Sequence, residues 1–489
     1  MNKQKTDFKN LNISQSNYKT LAPFYFEKLG SQYLLTNDGG DHCFLTKTDF
    51  SKFLQGKLPK DKDPFLTLHE KNFLNCGPSL INLSGKYRAK HSFLFTGPSL
   101  HIVVVTLRCN HKCLYCHASS QDMSRKELDM SLETARKVLD TIFKTTSLFI
   151  AIEFQGGEPL VNWPVVKFIV EEAWKRNKVA KKDLELRLVS NFTLMTEEKF
   201  KYLIDKKVSL CLSLDGPEKL HNKNRPMQGG TSYKYAAKWA NRFFKEYPKL
   251  NKKGYIFKMG LAVTISRFSL PYYKAIIDEF LKLGFDYFYL RPLNPFGFTL
   301  EHWKEIGYTA GEYINFYKKA LDYIIKLNLK RKIVREKMAV TFLIKILTEW
   351  DPGHMDFRSP CGAGLGQLAY NYNGDVYTCD EGRMLSMMGD ENFRLGSVYQ
   401  NDYKEIIANP VVRTMSVASC LDGLAGCSDC VFKPYCGVCP IYNYSKQGNI
   451  FGQMPVNERC MISKAILNYL FEKLKNKKIR EVFKSWVDN

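Results

Sequence analysis

Cys109-Asn110-His111-Lys112-Cys113-Leu114-Tyr115-Cys116 is the stretch on which the reading of the whole chain turns. It follows a strand-like apolar run at 102–107. It precedes a helical stripe formed by Leu132, Ala135, Val138, Leu139, Ile142 and Phe143. The three thiols, spaced C-x3-C-x2-C, therefore sit on the first strand-to-helix loop. Three thiolates on one loop suit three irons of a [4Fe–4S] cluster and leave the fourth iron open. Structural zinc is the alternative, with His111 or His117 as a fourth ligand.

Outward from that loop, residues 101–291 alternate between strand and helix patterns. The strand runs lie at 102–107, 148–154, 184–189, 208–214, 259–265 and 287–290. Six β/α units predict a parallel sheet, as an open barrel or a doubly wound sheet, with ligands at the carboxyl ends of the strands. Distinctive residues fall at those ends: Gln155-Gly156-Gly157-Glu158-Pro159 after the second strand, Ser190 and Asn191 after the third, and Ser213-Leu214-Asp215-Gly216-Pro217 after the fourth. Taken alone, Gly156-Gly157 reads as a tight turn.

The flanks differ in character. Residues 1–20 are polar and expected to be mobile. Short β-like runs between 23 and 45 surround the turn Asn37-Asp38-Gly39-Gly40. Thr46 and Asp49 then resemble a capping box, and Asp63-Pro64 opens a second helix with Pro at its first position. Strands followed by two short helices suggest a winged-helix-like module. Residues 300–350 read as helical, and 462–487 as one or two helices. The expected divisions are a module at 1–92, the β/α core at 93–300, a helical connector at 301–360, a cysteine-rich domain at 361–465 and a C-terminal helix at 466–489.

Of 14 cysteines, eight lie between 361 and 460. Clustered thiols in a reducing compartment read as metal ligands, whereas the isolated Cys43, Cys76 and Cys211 read as small apolar residues. The 489 residues suggest about three domains, and 45% hydrophobic content excludes general disorder. No apolar run reaches the roughly 18 residues of a membrane helix. The first residues lack the apolar core of a secretory signal, so a cytoplasmic location is expected. The net charge of +23 comes from dispersed lysines. Without an arginine-rich stripe it reads as a solvated surface or an attraction for an anionic peptide, and not for nucleic acid.

The C-x3-C-x2-C loop with an aromatic before its last cysteine, the G-G-E-P motif at 156–159, and the 213–217 stretch continued by His221-Asn222-Lys223-Asn224-Arg225 resemble the radical S-adenosylmethionine (SAM) enzymes. The resemblance implies a partial (β/α)6 barrel and a [4Fe–4S] cluster held by Cys109, Cys113 and Cys116. It also implies reductive cleavage of SAM to a 5′-deoxyadenosyl radical. Around that ligand, the paired glycines would offer backbone groups to the methionine amine, Glu158 a negative charge, and Arg225 a bidentate fork for the carboxylate. Ser190, Asn191, Ser213 and Asp215 would lie near ribose or carboxylate oxygens, Pro159 would complete the motif, and Tyr115 would pack against adenine. Arg225 and Asn191 also suit loop staples.

Cys361, then Gly374-Asp375-Val376-Tyr377-Thr378-Cys379, then Cys427-x2-Cys430-x5-Cys436-x2-Cys439, and finally Cys460, resemble the SPASM domain of peptide-maturing radical SAM enzymes. The family usually places three residues between the pair corresponding to Cys436 and Cys439; here two intervene. Carried over by position, Cys427, Cys430, Cys436 and Cys460 would hold a distal auxiliary [4Fe–4S] cluster, and Cys361, Cys379 and Cys439 a proximal one. A zinc-ribbon-like fold is the alternative. Three further stretches, Phe93–Pro98, Arg291–Phe298 and Asp380–Leu385, together with the segment from Ser419 to Tyr442, resemble the HxsB maturases of the His-Xaa-Ser peptide system. That resemblance implies a ribosomally made precursor peptide as substrate, a flavodoxin- or ferredoxin-type electron donor, and companion maturases. The runner-up is an anaerobic sulfatase-maturating enzyme, in which the Asp after the second auxiliary cysteine is the base; Asp380 holds that place. The bland alternative pairs Asp380 with Arg383.

Overall fold

The computed structural model describes residues 21–75, 80–227 and 229–488; the polar start at 1–20 and Cys76 lie outside them. Among the described residues the chain opens with an antiparallel meander of β1 (Tyr25–Leu29), β2 (Gln32–Thr36) and β3 (His42–Thr46). Gly30 and Gly40, both at positive φ, make its turns. One face buries Leu35, Cys43 and Leu45 against Phe50, Phe53 and Leu54 of the following helix, Lys47–Leu54. Thr46 caps that helix, accepting from the Asp49 amide at 3.1 Å. The second helix, Phe65–Glu70, starts one residue later than expected. Pro64 takes the cap position itself, while the Asp63 carboxylate accepts from the Thr67 amide at 3.3 Å.

The central sheet carries β4 (Leu100–Thr106), β5 (Phe149–Gly156), β6 (Asp183–Ser190), β7 (Val208–Ser213), β8 (Gly260–Thr264) and β9 (Tyr287–Arg291). They are parallel and adjacent in chain order, which is the topology of a partial (β/α)6 barrel. The near-continuous apolar character of β4 follows from burial on both faces. Amphipathic helices such as Leu132–Ile142 and Ser232–Lys252 cover the outside.

The sheet does not stop at the barrel. β10 (Arg335–Glu336), within the expected helical connector, pairs in parallel with β9. β11 (Gln367–Tyr370) pairs in parallel with β4 and continues through antiparallel β12 (Asp375–Tyr377) and β13 (Arg394–Ser397). The cysteine-rich region is thus hydrogen-bonded to the barrel's first strand in one ten-stranded sheet. The division expected at 466 falls inside a helix, Glu458–Leu474. That helix starts earlier because Asn457 caps it, accepting from the Arg459 and Cys460 amides. A further helix, Lys477–Val487, follows. Among the described residues no helix is long and apolar enough to cross a membrane.

Candidate functional site

The loop after β4 folds on itself through the Cys116 amide, which donates to the Cys113 carbonyl at 3.0 Å. The His111 amide donates to Cys109 Sγ at 3.4 Å, and the Cys116 thiol contacts Ser120 Oγ at 3.3 Å. Burial, reinforced by neighbouring thiols and acids, pushes the Cys109 thiol up; burial likewise pushes Cys113 to about 12. A loop that buries thiols where their thiolates would be unstable alone fits a cationic iron centre, whose binding drives the protons off. Among the described residues no three His, Cys, Asp or Glu side chains converge as a single metal ion requires.

A cavity of about 180 Å³ joins this loop to the strand ends. Cys109, Cys113, Cys116, Tyr115, Gly156, Gly157, Glu158, Ser190, Asn191, Ser213, Arg225 and Asp380 all line it. Their roles there differ in part from the sequence reading. The Gly157 amide donates to the Thr106 carbonyl at 2.9 Å and the Glu158 amide to the Arg108 carbonyl at 2.8 Å, so these amides are not offered to a ligand. A Cβ on Gly156 would meet the Thr106 carbonyl oxygen at 2.2 Å, and one on Gly157 the Arg108 carbonyl oxygen at 2.2 Å. The glycines let two loops touch.

Glu158 ties three segments together. Its carboxylate accepts from the Leu160 amide at 3.1 Å, Ser190 Oγ at 2.7 Å and the Asn191 amide at 2.8 Å. Burial pushes its carboxyl up, and these donors offset part of that. Pro159 is buried at the start of the following short helix and shapes the loop from behind. Asn191 is stapled as well, donating to Asn110 Oδ1 at 3.1 Å and accepting from Thr193.

Two expectations are corrected. Asp215 is fully buried and does not line the cavity; a carboxylate there requires a cation, and Arg225 supplies it through Nε at 3.1 Å and Nη2 at 3.3 Å. Asp215 engages two of the Arg225 nitrogens, while Arg225 still lines the cavity. The Tyr115 hydroxyl also donates to Asp215, and Arg225 lies over the Tyr115 ring at 5.3 Å, so this ring is fixed as wall. Arg291 and Met384, not among the residues expected at the site, line the cavity as well, as do Gln155 of the strand-end motif and the buried His111. Arg291 ends a barrel strand, a position that could have flagged it.

A second, larger chamber of about 1170 Å³ runs along the barrel interior, from Leu100, Phe149 and Tyr287 at strand starts to Gln155 and Arg291 at strand ends. Cys361, Cys379 and Cys439 line it, and Gln155, Arg291 and Asp380 border both spaces. Burial raises the Cys379 and Cys439 thiols, and each also feels the Cys361 thiol. Cys427, Cys430, Cys436 and Cys460 form a separate group: burial, then Cys430, Cys460 and Cys427 in turn, raise the Cys436 thiol. Cys420 belongs to neither, its thiol facing Asp422 at 3.8 Å. Asp380 begins the helix Asp380–Ser386 and accepts from Arg383 Nε at 2.9 Å.

Residues 103–256 match the radical SAM superfamily, and residues 361–440 match the SPASM iron–sulfur cluster-binding domain. The chain carries a radical SAM core and a SPASM domain. It is 24% identical over 395 residues to the radical SAM cyclopropyl synthase TigE of Paramaledivibacter caminithermalis, covering 76% of this chain and 74% of that protein. It is 24% identical over 392 residues to the cysteine-type anaerobic sulfatase-maturating enzyme of Clostridium perfringens, covering 77% of this chain and 97% of that enzyme. The fold matches native anSMEcpe with bound AdoMet and Cp18Cys peptide at a TM-score of 0.62 and 20% identity, over 79% of this chain and 99% of that one. The radical SAM core binds a [4Fe–4S] cluster and SAM, and the SPASM domain binds iron–sulfur clusters.

Proposed function

We propose that this radical SAM enzyme matures a ribosomally made precursor peptide of the His-Xaa-Ser repeat type. The observation that carries the reading is the shared border. Gln155, Arg291 and Asp380 face both the cavity at the three-cysteine loop and the chamber at Cys361, Cys379 and Cys439. A substrate side chain in that chamber would meet the radical at one wall and an auxiliary cluster at another. When bound, SAM and its cluster supply the radical that removes a hydrogen atom, and an auxiliary cluster supplies an electron sink.

The chain's own residues do the rest. Cys109, Cys113 and Cys116 would hold the SAM cluster. The Glu158–Ser190–Asn191 knot fixes the loop edges around SAM. Asp380, kept in place by Arg383, would take the proton that the substrate sheds after losing hydrogen and an electron. Cys361, Cys379 and Cys439 would hold the proximal auxiliary cluster, and Cys427, Cys430, Cys436 and Cys460 the distal one.

A precursor peptide would reach the chamber from the N-terminal module, residues 20 to 90. There β3, the outer strand of its meander among the described residues, borders a groove of about 750 Å³ together with Arg480, Lys484 and Lys71, whose Nζ donates to the His42 carbonyl at 2.7 Å. An extended acidic peptide suits that edge through backbone bonds and charge. Formylglycine formation in a sulfatase is the second reading, favoured by Asp380 directly after Cys379. Mass spectrometry of co-expressed substrates separates the two. A repeat-bearing peptide whose mass falls by two hydrogens per site supports peptide maturation. A modified sulfatase Cys or Ser with an untouched peptide supports the alternative.

A further inference from the structure

Arg358 is a buried cation with no anion. It is 2% exposed, and its Nε and Nη2 have no hydrogen-bond partner. Among the described residues no carboxylate pairs with it; Asp351, which acts on it at longer range, is bonded instead to Lys345 at 3.3 Å. An uncompensated guanidinium in a protein interior is strongly destabilising.

The surroundings hold it deliberately. The guanidinium lies over the Phe93 ring at 4.0 Å. A Cβ on Gly362 would come within 2.6 Å of Nη2, and one on Gly366 within 2.2 Å. Gly362 and Gly366 thus let the guanidinium lie close beside the Cys361–Gly362 backbone, together with Met355 Sδ, which a Cβ on Gly362 would meet at 2.3 Å. Arg358 also touches the other end of the cysteine pattern: a Cβ on Gly437, between Cys436 and Cys439, would meet the Arg358 amide at 2.4 Å. The side chain lines the same chamber as Cys361, Cys379 and Cys439.

We propose that Arg358 is the built-in counter-ion of the proximal auxiliary cluster, a positioning residue that raises the cluster's reduction potential. This rests on the reading that Cys361, Cys379 and Cys439 ligate that cluster. Iron–sulfur clusters with thiolate ligands carry net negative charge, and one-electron reduction adds another. A fixed cation in a low-dielectric wall therefore favours the reduced form. It would make the cluster a better acceptor for the electron leaving the substrate.

The test is a redox titration of the fully loaded enzyme followed by electron paramagnetic resonance, with the proximal signal assigned by its loss in Cys361→Ala. In Arg358→Gln the proximal midpoint should fall. At the wild-type midpoint the reduced-to-oxidised ratio should drop about tenfold, or about 59 mV for a one-electron couple. Arg358→Lys should keep most of the wild-type value, and the distal midpoint should not move. Selective loss of proximal iron in Arg358→Gln, restored by Arg358→Lys, supports the same charge requirement. Loss that Lys does not restore, or loss of both clusters, counts against it. An unchanged midpoint overturns the proposal; with a raised KM for peptide, it would assign Arg358 to a substrate carboxylate instead. If Cys361→Ala removes no signal, the ligand reading itself fails, and that result is distinct from an unmoved midpoint.

Discussion

Asp380 faces two spaces and is held by one cation. Its carboxylate accepts from Arg383 Nε at 2.9 Å, and Arg383 is fully buried with both Nη atoms unpartnered. The ion pair expected as a bland alternative is present, yet the carboxylate still borders the cavity and the chamber. Asp380→Asn keeps the shape and removes the base. It should leave iron content and 5′-deoxyadenosine formation intact while cutting peptide product by about 10²-fold or more, read by product quantitation. Replacing Cys109, Cys113 and Cys116 together by Ala should leave a folded, less iron-rich protein that forms no 5′-deoxyadenosine. The cysteines were legible in sequence because cluster ligation demands thiols at set spacings. The Arg225–Asp215 pair was not legible because a guanidinium suits any carboxylate, and only the folded chain brings Asp215 within 3.1 Å of it.

At the scale of elements, the strand ends do the positioning. The turn after β5 touches the cysteine loop so closely that Gly157 has no space for a methyl group, with backbone oxygen at 2.2 Å. Gly157→Ala should push the two loops apart, at a cost on the order of 1–3 kcal/mol. It should abolish SAM cleavage while the auxiliary clusters keep their absorbance. The six parallel strands were legible from their apolar runs. The pairing of β11 with β4 was not: a four-residue strand, Gln367–Tyr370, carries too little pattern, and its partner lies far away in sequence. The early start of the Glu458–Leu474 helix was hidden for a different reason. Its cap, Asn457, lies in an irregular loop among cysteines whose chemistry drew the reading.

Across the whole molecule, the N-terminal module is packed into the architecture as well as bearing the proposed peptide groove. Thr36 Oγ1 donates to the Val431 carbonyl at 2.7 Å, the Tyr435 hydroxyl donates to the Gly40 carbonyl at 3.0 Å, and Lys433 pairs with Asp38 at 2.9 Å. Deleting the module would expose Phe432 and Tyr435 beside the distal cysteines, so charge reversal on the groove is the cleaner probe. Arg480→Glu with Lys484→Glu should weaken precursor binding about tenfold, more at low salt than at high, without changing SAM cleavage in the absence of peptide. Fluorescence anisotropy with a labelled precursor reads this directly. The net charge of +23 read as a solvated surface or an attraction for an anionic peptide, and only the fold gathers Lys71, Arg480 and Lys484 along the β3 edge. In the proposed reaction, the radical formed at the three-cysteine loop takes its hydrogen from a peptide in the adjoining chamber. Mass spectrometry of the 5′-deoxyadenosine formed with a fully deuterated precursor tests it. Deuterium should appear in the 5′-deoxyadenosine together with a modified peptide; unlabelled 5′-deoxyadenosine beside an unchanged peptide would rule that transfer out.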